Sequence, residues 1–404
     1  MNIGSQEYAG LANDAYRDLA VGRRPAEQDE IHVIEGAEYR IVEHADNPRT
    51  GYQGTIYQRL EGGDVVVAHR GTEEIWKDAV IADGAMVVAR TNPQAEDAIA
   101  LTGRAIAFAH ALEAKPGQST PEVTVTGHSL GGALAQVAAH HYDLRGETFN
   151  AYGSASLNRR IPEGPNGRVT NHVMANDAVS AASGHYGETM RYATEREITV
   201  LHQSGYFNNR VLDAVTPDLA LVAAGRSLGS HSMHNFLPVD GEGRPDVSIL
   251  QDPSARARAA DNARMIDDYR GDVESLRRAV TLGVRGPVGW IQDGVSAVRG
   301  PVEAGEPARG MTPAREGGKG AEGLSSATGP GRPSNHVGQL LDAAQTGSGN
   351  AVRAAVQDLQ LSEAGQTFQQ RAEAASLPMQ HGPVPALAPD PGAQQQDAPH
   401  TSGR

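Results

Sequence analysis

The chain has 404 residues, 21% of them charged, a formal net charge of −14 and no cysteine. The absence of thiols excludes disulfides, thiolate metal sites and cysteine nucleophiles, and the acidic balance argues against nucleic acid as the main partner, which would need a basic face. Met1-Asn-Ile-Gly-Ser-Gln-Glu-Tyr has neither the basic start nor the apolar core of a secretory signal, and no run reaches the roughly 18 apolar residues of a spanning helix. The expectation is therefore a soluble protein, cytoplasmic or exported by a bacterial route that needs no signal peptide.

The length allows one large core and a sizeable remainder. In chain order, Tyr8 to Leu19 reads as helix, and Ile31 to Glu35 and Tyr39 to Glu43 read as short strands. Tyr52 to Leu60 and Asp64 to Arg70 form a hairpin around Glu61-Gly62-Gly63. A helix over Ala95 to Ala114 follows, then a strand at 122–126 and a helix from Ala133 to His141. Further strands are predicted at Glu147 to Tyr152, Val169 to Ala175 and near Ile198 to Leu201. Strands alternating with helices imply an α/β fold with a sheet mostly parallel at its centre and flanked by helices. Beyond about residue 250 the composition changes: Asp252 to Val284 is charged, rich in Ala and Arg and helical in spacing, Gly300 to Ser334 is dense in Gly and Pro, and Val337 to Ala375 has helical alternation. From Leu377 onward Pro, Gln and Ala dominate, as expected of a disordered tail.

Gly127-His128-Ser129-Leu130-Gly131-Gly132 stands between the β-branched run Val123-Thr-Val-Thr126 and the helix former that begins at Ala133. Strand, sharp turn and helix with a serine at the apex make a nucleophile elbow, which holds Oγ exposed above the C-terminal edge of a sheet. The pattern Gly-x-Ser-x-Gly alone is weak, since a chain with 47 glycines would contain roughly 0.3 copies by chance. A second copy does occur at Gly225-Arg-Ser227-Leu-Gly229, but no strand clearly enters it and Ser-His-Ser-Met-His-Asn, which follows, starts no obvious helix. Context selects Ser129.

A serine hydroxyl needs a base, and the base needs an orienting carboxylate. In elbow enzymes these follow in the order Ser, Asp/Glu, His. Asp177 directly follows a predicted strand and is the candidate acid, with a turn or N-cap role as its plain alternative; Asp143, Asp213 and Asp218 have less suitable settings. For the base, Ser230-His231-Ser232-Met233-His234 offers His231 first and His234 as runner-up, with His202 and His185 behind them. His69 and His128 read as packed neighbours of the site. The oxyanion requires two donors: the backbone N–H of Leu130, and Thr72 at the end of the strand that carries His69-Arg70-Gly71.

Gly-His-Ser-Leu-Gly-Gly-Ala-Leu-Ala at 127–135, His-Arg-Gly-Thr at 69–72 with Trp76 and Asp78 behind it, Asn176-Asp177-x-Val179 and the late His-Ser-Met-x-Asn-Phe at 231–236 together resemble the class 3 lipases. The resemblance covers about residues 30–240. It implies an α/β-hydrolase fold, a Ser129-Asp177-His231 triad with Thr72 as oxyanion donor, and acyl esters such as acylglycerols or phospholipids as substrates, possibly met at a membrane surface. In that family the segment after Arg-Gly-Thr often forms a lid, and the composition of Trp76 to Val88 fits an amphipathic lid and a buried helix equally well. His69 departs from the aromatic or apolar residue usual before Arg-Gly-Thr. The expected organisation is a catalytic domain over 1–250, a helical extension over 251–299, a Gly/Pro-rich linker over 300–335, a short helical segment over 336–376 and a tail over 377–404, so that the C-terminal extension is largely helical or disordered. No metal or cofactor is expected. Two other readings stay open: a non-lipid esterase or thioesterase, and a secreted bacterial effector with the catalytic domain as payload and a C-terminal delivery or adaptor-binding module, for which a secretion adaptor or an immunity-type protein would be the partner.

Overall fold

Val65 to His69 are five buried residues in succession, the pattern of a strand covered on both faces. In the computed structural model they form the strand on which the parallel half of the sheet begins. The structure describes residues 3–23, 31–71, 94–113, 121–157, 159–209, 219–278 and 301–305. All of them lie in the first of two units, Met1–Asp358 and Leu359–Arg404.

The chain opens with helix α1 (Ser5–Asp14), followed by strands β1 (Gly22–Arg23), β2 (Ile31–Ile34), β3 (Ala37–Asn47), β4 (Tyr52–Arg59) and β5 (Val65–His69). Helix α2 (Ala95–Glu113) leads to β6 (Val123–His128), α3 (Leu130–Tyr142), β7 (Arg145–Phe149) and β8 (Val169–Met174). A one-turn helix α4 (Ala178–Ala181), β9 (Glu188–Tyr192), α5 (Glu195–Gln203), α6 (Ala220–Arg226) and α7 (Pro253–Asp261) complete the described elements, with a final helix α8 over 263–278. The nine strands form one sheet in the order β1-β3-β4-β5-β6-β7-β8-β9, with β2 also paired to β3. The hairpin and the strands before it pair antiparallel. From β5 to β9 every pairing is parallel. This is the α/β fold expected from the sequence, with a sheet parallel at its centre.

Alternation along β5 divides the core. Val65 and Val67 pack with Val125 against Ala98, Leu101 and Ala105 of α2 and Leu134 and Ala138 of α3. Val66 and Ala68 face the other way, onto Tyr8, Leu11 and Ala12 of α1. Each of these side chains, removed from water, contributes on the order of 1–3 kcal/mol. A third cluster joins Leu201 of α5 and Ala223 of α6 to Met265, Ile266 and Tyr269 of α8, so the helical extension packs on the acid side of the sheet.

Two local expectations are corrected. Ile198 to Leu201 lies in α5, not a strand. Thr194 and Glu197 form a capping box at its start, a local signal that outweighs the β-branched Ile198, Thr199 and Val200. The last parallel strand is instead β9, whose Glu188-Thr-Met-Arg-Tyr192 is mostly half-exposed and so lacks the apolar run that marks a buried strand. Thr72, the Trp76 to Val88 segment, and the chain beyond 305 with its linker, helical segment and tail lie outside the described residues. Residues 301–305 are described, and there the Val302 carbonyl accepts from His140 Nε2 at 2.9 Å.

The parallel centre requires close approach at one glycine. A Cβ at Gly146 would overlap the carbonyl oxygen of Val125 in the adjacent strand, backbone that cannot yield without parting β6 from β7. Gly146→Ala is expected to destabilise the protein by about 3 kcal/mol, read as a lower urea midpoint at unchanged m-value.

Candidate active site

The elbow is built by packing that admits no side chains. A Cβ on Gly127 would run into the backbone of Gly131, one on Gly131 into the carbonyl of His69, and one on Gly132 into Ala151. Strand β6 and helix α3 therefore meet at backbone contact, and the residue between them must turn sharply. Ser129 has φ 58° and ψ −126°, a conformation that costs a non-glycine residue about 1–3 kcal/mol. Tertiary bonds hold it there: Ser129 N–H donates to Phe149 O at 3.2 Å, and its own carbonyl accepts from Tyr152 N at 3.1 Å and Gly132 N at 3.1 Å. Leu130 is the first residue of α3, where N–H groups have no intrahelical acceptor and the helix dipole is positive. Such a group can serve a developing oxyanion.

Gly71 lies beside the serine, since a Cβ there would stand 2.8 Å from His128 O and 3.2 Å from Ser129 Cβ. The end of β5 thus runs past the elbow immediately before Thr72. His69 is fully buried, with Nδ1 2.9 Å from Tyr52 Oη, and burial pushes its pKa down to about 3. A neutral imidazole accordingly occupies the place where an apolar residue was expected.

Asp177 and His231, 54 residues apart in sequence, meet through Oδ1 and Nδ1 at 2.9 Å. A carboxylate only accepts, so Nδ1 carries the proton, and in neutral His231 the lone pair is on Nε2, the tautomer a general base requires. Asp177 is also the N-cap of α4: Oδ1 accepts from Val179 N and Oδ2 from Ser180 N, both at 3.1 Å. The N-cap role and the candidate-acid role therefore coincide in one side chain. Burial pushes its carboxyl up, but the His231 charge, the His231 hydrogen bond and the Ser180 donors together bring it below the usual carboxylate range.

His231 is carried by a short 3₁₀ turn, Leu228–His231, which two residues of the elbow side hold. His128 Nε2 donates to His231 O at 2.8 Å, and the two rings lie 4.6 Å apart. Burial, then the neighbouring His231 charge, pushes His128 to about 3. It is neutral with its proton on Nε2, so Tyr16 Oη donates to Nδ1 across 2.9 Å. Asn150, which follows β7, donates to Ser230 O at 2.7 Å.

The alternatives stand elsewhere. His234 is exposed on the following turn and His202 is exposed on α5, whereas His185 is buried with Nε2 2.9 Å from Ala151 O. Ser227 has φ −117° at the end of α6, an ordinary backbone, and its Oγ is engaged by Asn176 Nδ2. Asp143 caps α3 and pairs with Arg168 at the surface. Asp213 and Asp218 lie outside the described residues.

Residues that the sequence did not single out surround the acid turn. From α8, Tyr269 donates to Asn176 O at 3.2 Å, Arg270 to Ser180 O at 2.7 Å and to Met174 O at 3.4 Å, and Arg277 to Ala182 O at 2.9 Å. The i, i+7 spacing of Arg270 and Arg277 was a legible helical face, but nothing in the sequence says which turn it would meet. Glu197 is buried, accepting from Asn176 N at 3.1 Å and from Thr194 N at 2.8 Å. Among the described residues no cluster of three His, Cys, Asp or Glu side chains could hold a metal ion, and no helix is long and apolar enough to cross a membrane.

Residues 7–181 match the family model described as a Tle-like phospholipase domain. Among solved structures, the Lip2 lipase of Yarrowia lipolytica is 16% identical, covering 46% of this chain and 77% of that one at a TM-score of 0.29. A triacylglycerol lipase of Penicillium expansum is 21% identical over 46% of this chain and 77% of that one, TM-score 0.28. A mutant form of MDLA from Penicillium cyclopium is 18% identical over 47% of this chain and 76% of that one, TM-score 0.29. Overlaps of this size say nothing of substrate. No curated protein matches the sequence.

The buried histidines give stability a steep acid dependence. Burial holds His69 and His128 near 3, and burial followed by the Arg270 charge holds His185 near 4, whereas an unfolded histidine titrates near 6.5. Between about pH 4.5 and 6 the unfolded chain therefore binds up to three more protons at these positions than the folded one, and stability falls as pH falls, by about 1.4 kcal/mol per pH unit for each histidine. Urea midpoints across this range are expected to drop accordingly, and His69→Asn should reduce the slope by about one proton.

Proposed function

We propose that this class 3 lipase-like protein, a lipid ester hydrolase, cleaves the acyl ester bond of phospholipids with Ser129 as nucleophile, His231 as base and Asp177 as its orienting acid. The single observation that carries the chemistry is the 2.9 Å bond from His231 to Asp177 in a loop that the elbow residue His128 holds by hydrogen bond and ring contact. The Tle-like phospholipase match favours phospholipids over triacylglycerols within the lipid esters.

In the proposed reaction, Ser129 Oγ attacks the ester carbonyl while its proton passes to His231 Nε2. The carbonyl oxygen takes up negative charge facing Leu130 N–H, with Thr72 as the second donor. The tetrahedral intermediate collapses, the C–O bond to the alcohol breaks, and His231 returns the proton to the departing alkoxide. A water molecule, deprotonated by the same imidazole, then attacks the acyl-enzyme; the acyl–Oγ bond breaks, His231 returns the proton to Ser129 Oγ, and the fatty acid leaves. Asp177 stays ionised throughout and stabilises the imidazolium.

The effector reading rests on sequence: the Gly/Pro-rich stretch and the Pro- and Gln-rich end follow the proposed hydrolase domain. On that reading, removal of residues 335–404 leaves hydrolysis in vitro unchanged and abolishes export or adaptor binding. Loss of hydrolysis would instead give these residues a part in the enzyme, and unchanged export would remove the delivery role.

Ser129→Ala is expected to lower the rate of fatty-acid release from phosphatidylcholine vesicles by at least about 10³-fold with the far-UV spectrum unchanged. A fluorophosphonate probe should modify Ser129 in the wild type. Labelling at Ser227, or undiminished turnover by the alanine variant, would overturn the assignment, and preference for triolein emulsions over vesicles would overturn the phospholipid reading.

A further inference from the structure

Two buried polar side chains outside the candidate triad each reach both of the segments that bring Asp177 and His231 together. Glu197, 3% exposed, accepts from the backbone N–H of Asn176 at 3.1 Å, the residue before the acid. The side chain of Ser230, the residue before the base, lies close enough to favour the ionised form of the same carboxylate. Asn150, fully buried, spans the same pair of segments by another route: its Oδ1 accepts from Met174 N at 2.9 Å and its Nδ2 donates to Ser230 O at 2.7 Å. Its backbone φ is 42°, a left-handed conformation that asparagine tolerates better than most residues, and its own N–H is tied to His172 O at 2.8 Å.

Neither side chain is where stability alone would put it. A carboxylate taken out of water is costly unless donors surround it, and burial pushes Glu197 above its ordinary pKa against the opposing pull of Thr194, Asn176 and Ser230. A helix cap needs only the Thr194 half of that set: Glu197 Oε2 receives Thr194 N–H at 2.8 Å and Thr194 Oγ1 at 3.2 Å. The remaining contacts serve Asn176 and Ser230, which belong to no helix cap. Resting on the function proposed above, we infer that Glu197 and Asn150 are positioning residues, two parallel polar clamps that set the approach of the His231 loop to the Asp177 turn. They touch neither the ester nor the reacting serine. Their effect passes through the geometry of the Asp177–His231 bond, and displacement of that pair by a fraction of an ångström reduces kcat more than it weakens substrate binding.

Glu197→Gln keeps the shape of the side chain but turns an amide N–H₂ toward a backbone N–H, either that of Asn176 or that of Thr194. Asn150→Ala removes the second clamp, and Thr194→Ala, which removes the capping hydroxyl but leaves the Asn176 bond to Glu197 in place, is the control. Full-length proteins would be compared on a soluble short-chain p-nitrophenyl ester, with low-field proton NMR of the Nδ1–H between His231 and Asp177 as a readout independent of turnover. Glu197→Gln and Asn150→Ala are expected each to lower kcat roughly 10- to 100-fold with KM changed less than about twofold, and to shift or remove the low-field resonance. Thr194→Ala should keep both kcat and the resonance. Wild-type kcat and an unmoved resonance in Glu197→Gln and Asn150→Ala would overturn the clamps, and so would a Thr194→Ala loss equal to that of Glu197→Gln, because the effect would then be helix capping. If Asn150→Ala does not fold, Ser230→Ala takes its place, since it removes the hydroxyl beside Glu197 at the other end and should reproduce the loss. An inactive wild type with the low-field resonance present and lost in Glu197→Gln would reject the hydrolase reading while leaving the clamps standing.

Discussion

The hydrogen bond between Asp177 and His231 is the contact on which the arrangement of this molecule depends. It joins two segments 54 residues apart in a place where Asp177 is 1% exposed and His231 6% exposed. A carboxylate in such a setting is tolerated only with several donors, and the fold supplies them by ending β8 at Met174 and starting α4 directly after Asp177. The helix N-terminus that stabilises the charge also fixes its direction. The His231 loop must then come to the carboxylate, because the carboxylate has no freedom to turn toward the loop.

Much of the surrounding structure can be understood as meeting that requirement from different sides. Asn150 follows β7, β6 ends in His128, and α5 begins with a capping glutamate, and each reaches the Asp177 or His231 segment by a hydrogen bond. Helix α8 closes the remaining side, with Tyr269 and Arg270 on the carbonyls of the acid turn. The polar groups satisfied in this way are mainly backbone, so their positions follow from where strands and helices end. The neutral state of His128 belongs to the same arrangement: a protonated ring beside His231 would oppose the imidazolium that the proposed acyl transfer requires.

The elbow imposes a different constraint, one of volume. Gly127, Gly131 and Gly132 let β6, α3 and the end of β5 converge at backbone distance, and the strained serine results from that convergence. Strain at Ser129 is held by bonds to Phe149 and Tyr152, so the strand beside the elbow maintains it. Buried, desolvated groups and a strained turn all draw on the stability of the core, which the alternating faces of β5 provide through two separate clusters.

What the sequence by itself determined was local and periodic: the elbow at 127–132, the hairpin around Gly62 and Gly63 and the alternation of strands and helices, and from these came Ser129, Asp177 and His231 as candidates. Those signals are legible because backbone conformation and burial period depend on near neighbours. It could not separate helix from strand at 195–203, where a capping box competes with β-branched residues, nor see β9, which is too exposed to carry an apolar run. Only the tertiary structure decided that His231 and not His234 faces Asp177, that Ser227 serves Asn176 and has no elbow of its own, and that Glu197, Asn150 and Arg270 converge on the acid and base segments. These are facts of juxtaposition between residues tens of positions apart, and no spacing along a chain encodes which ends of which elements a folded sheet brings together.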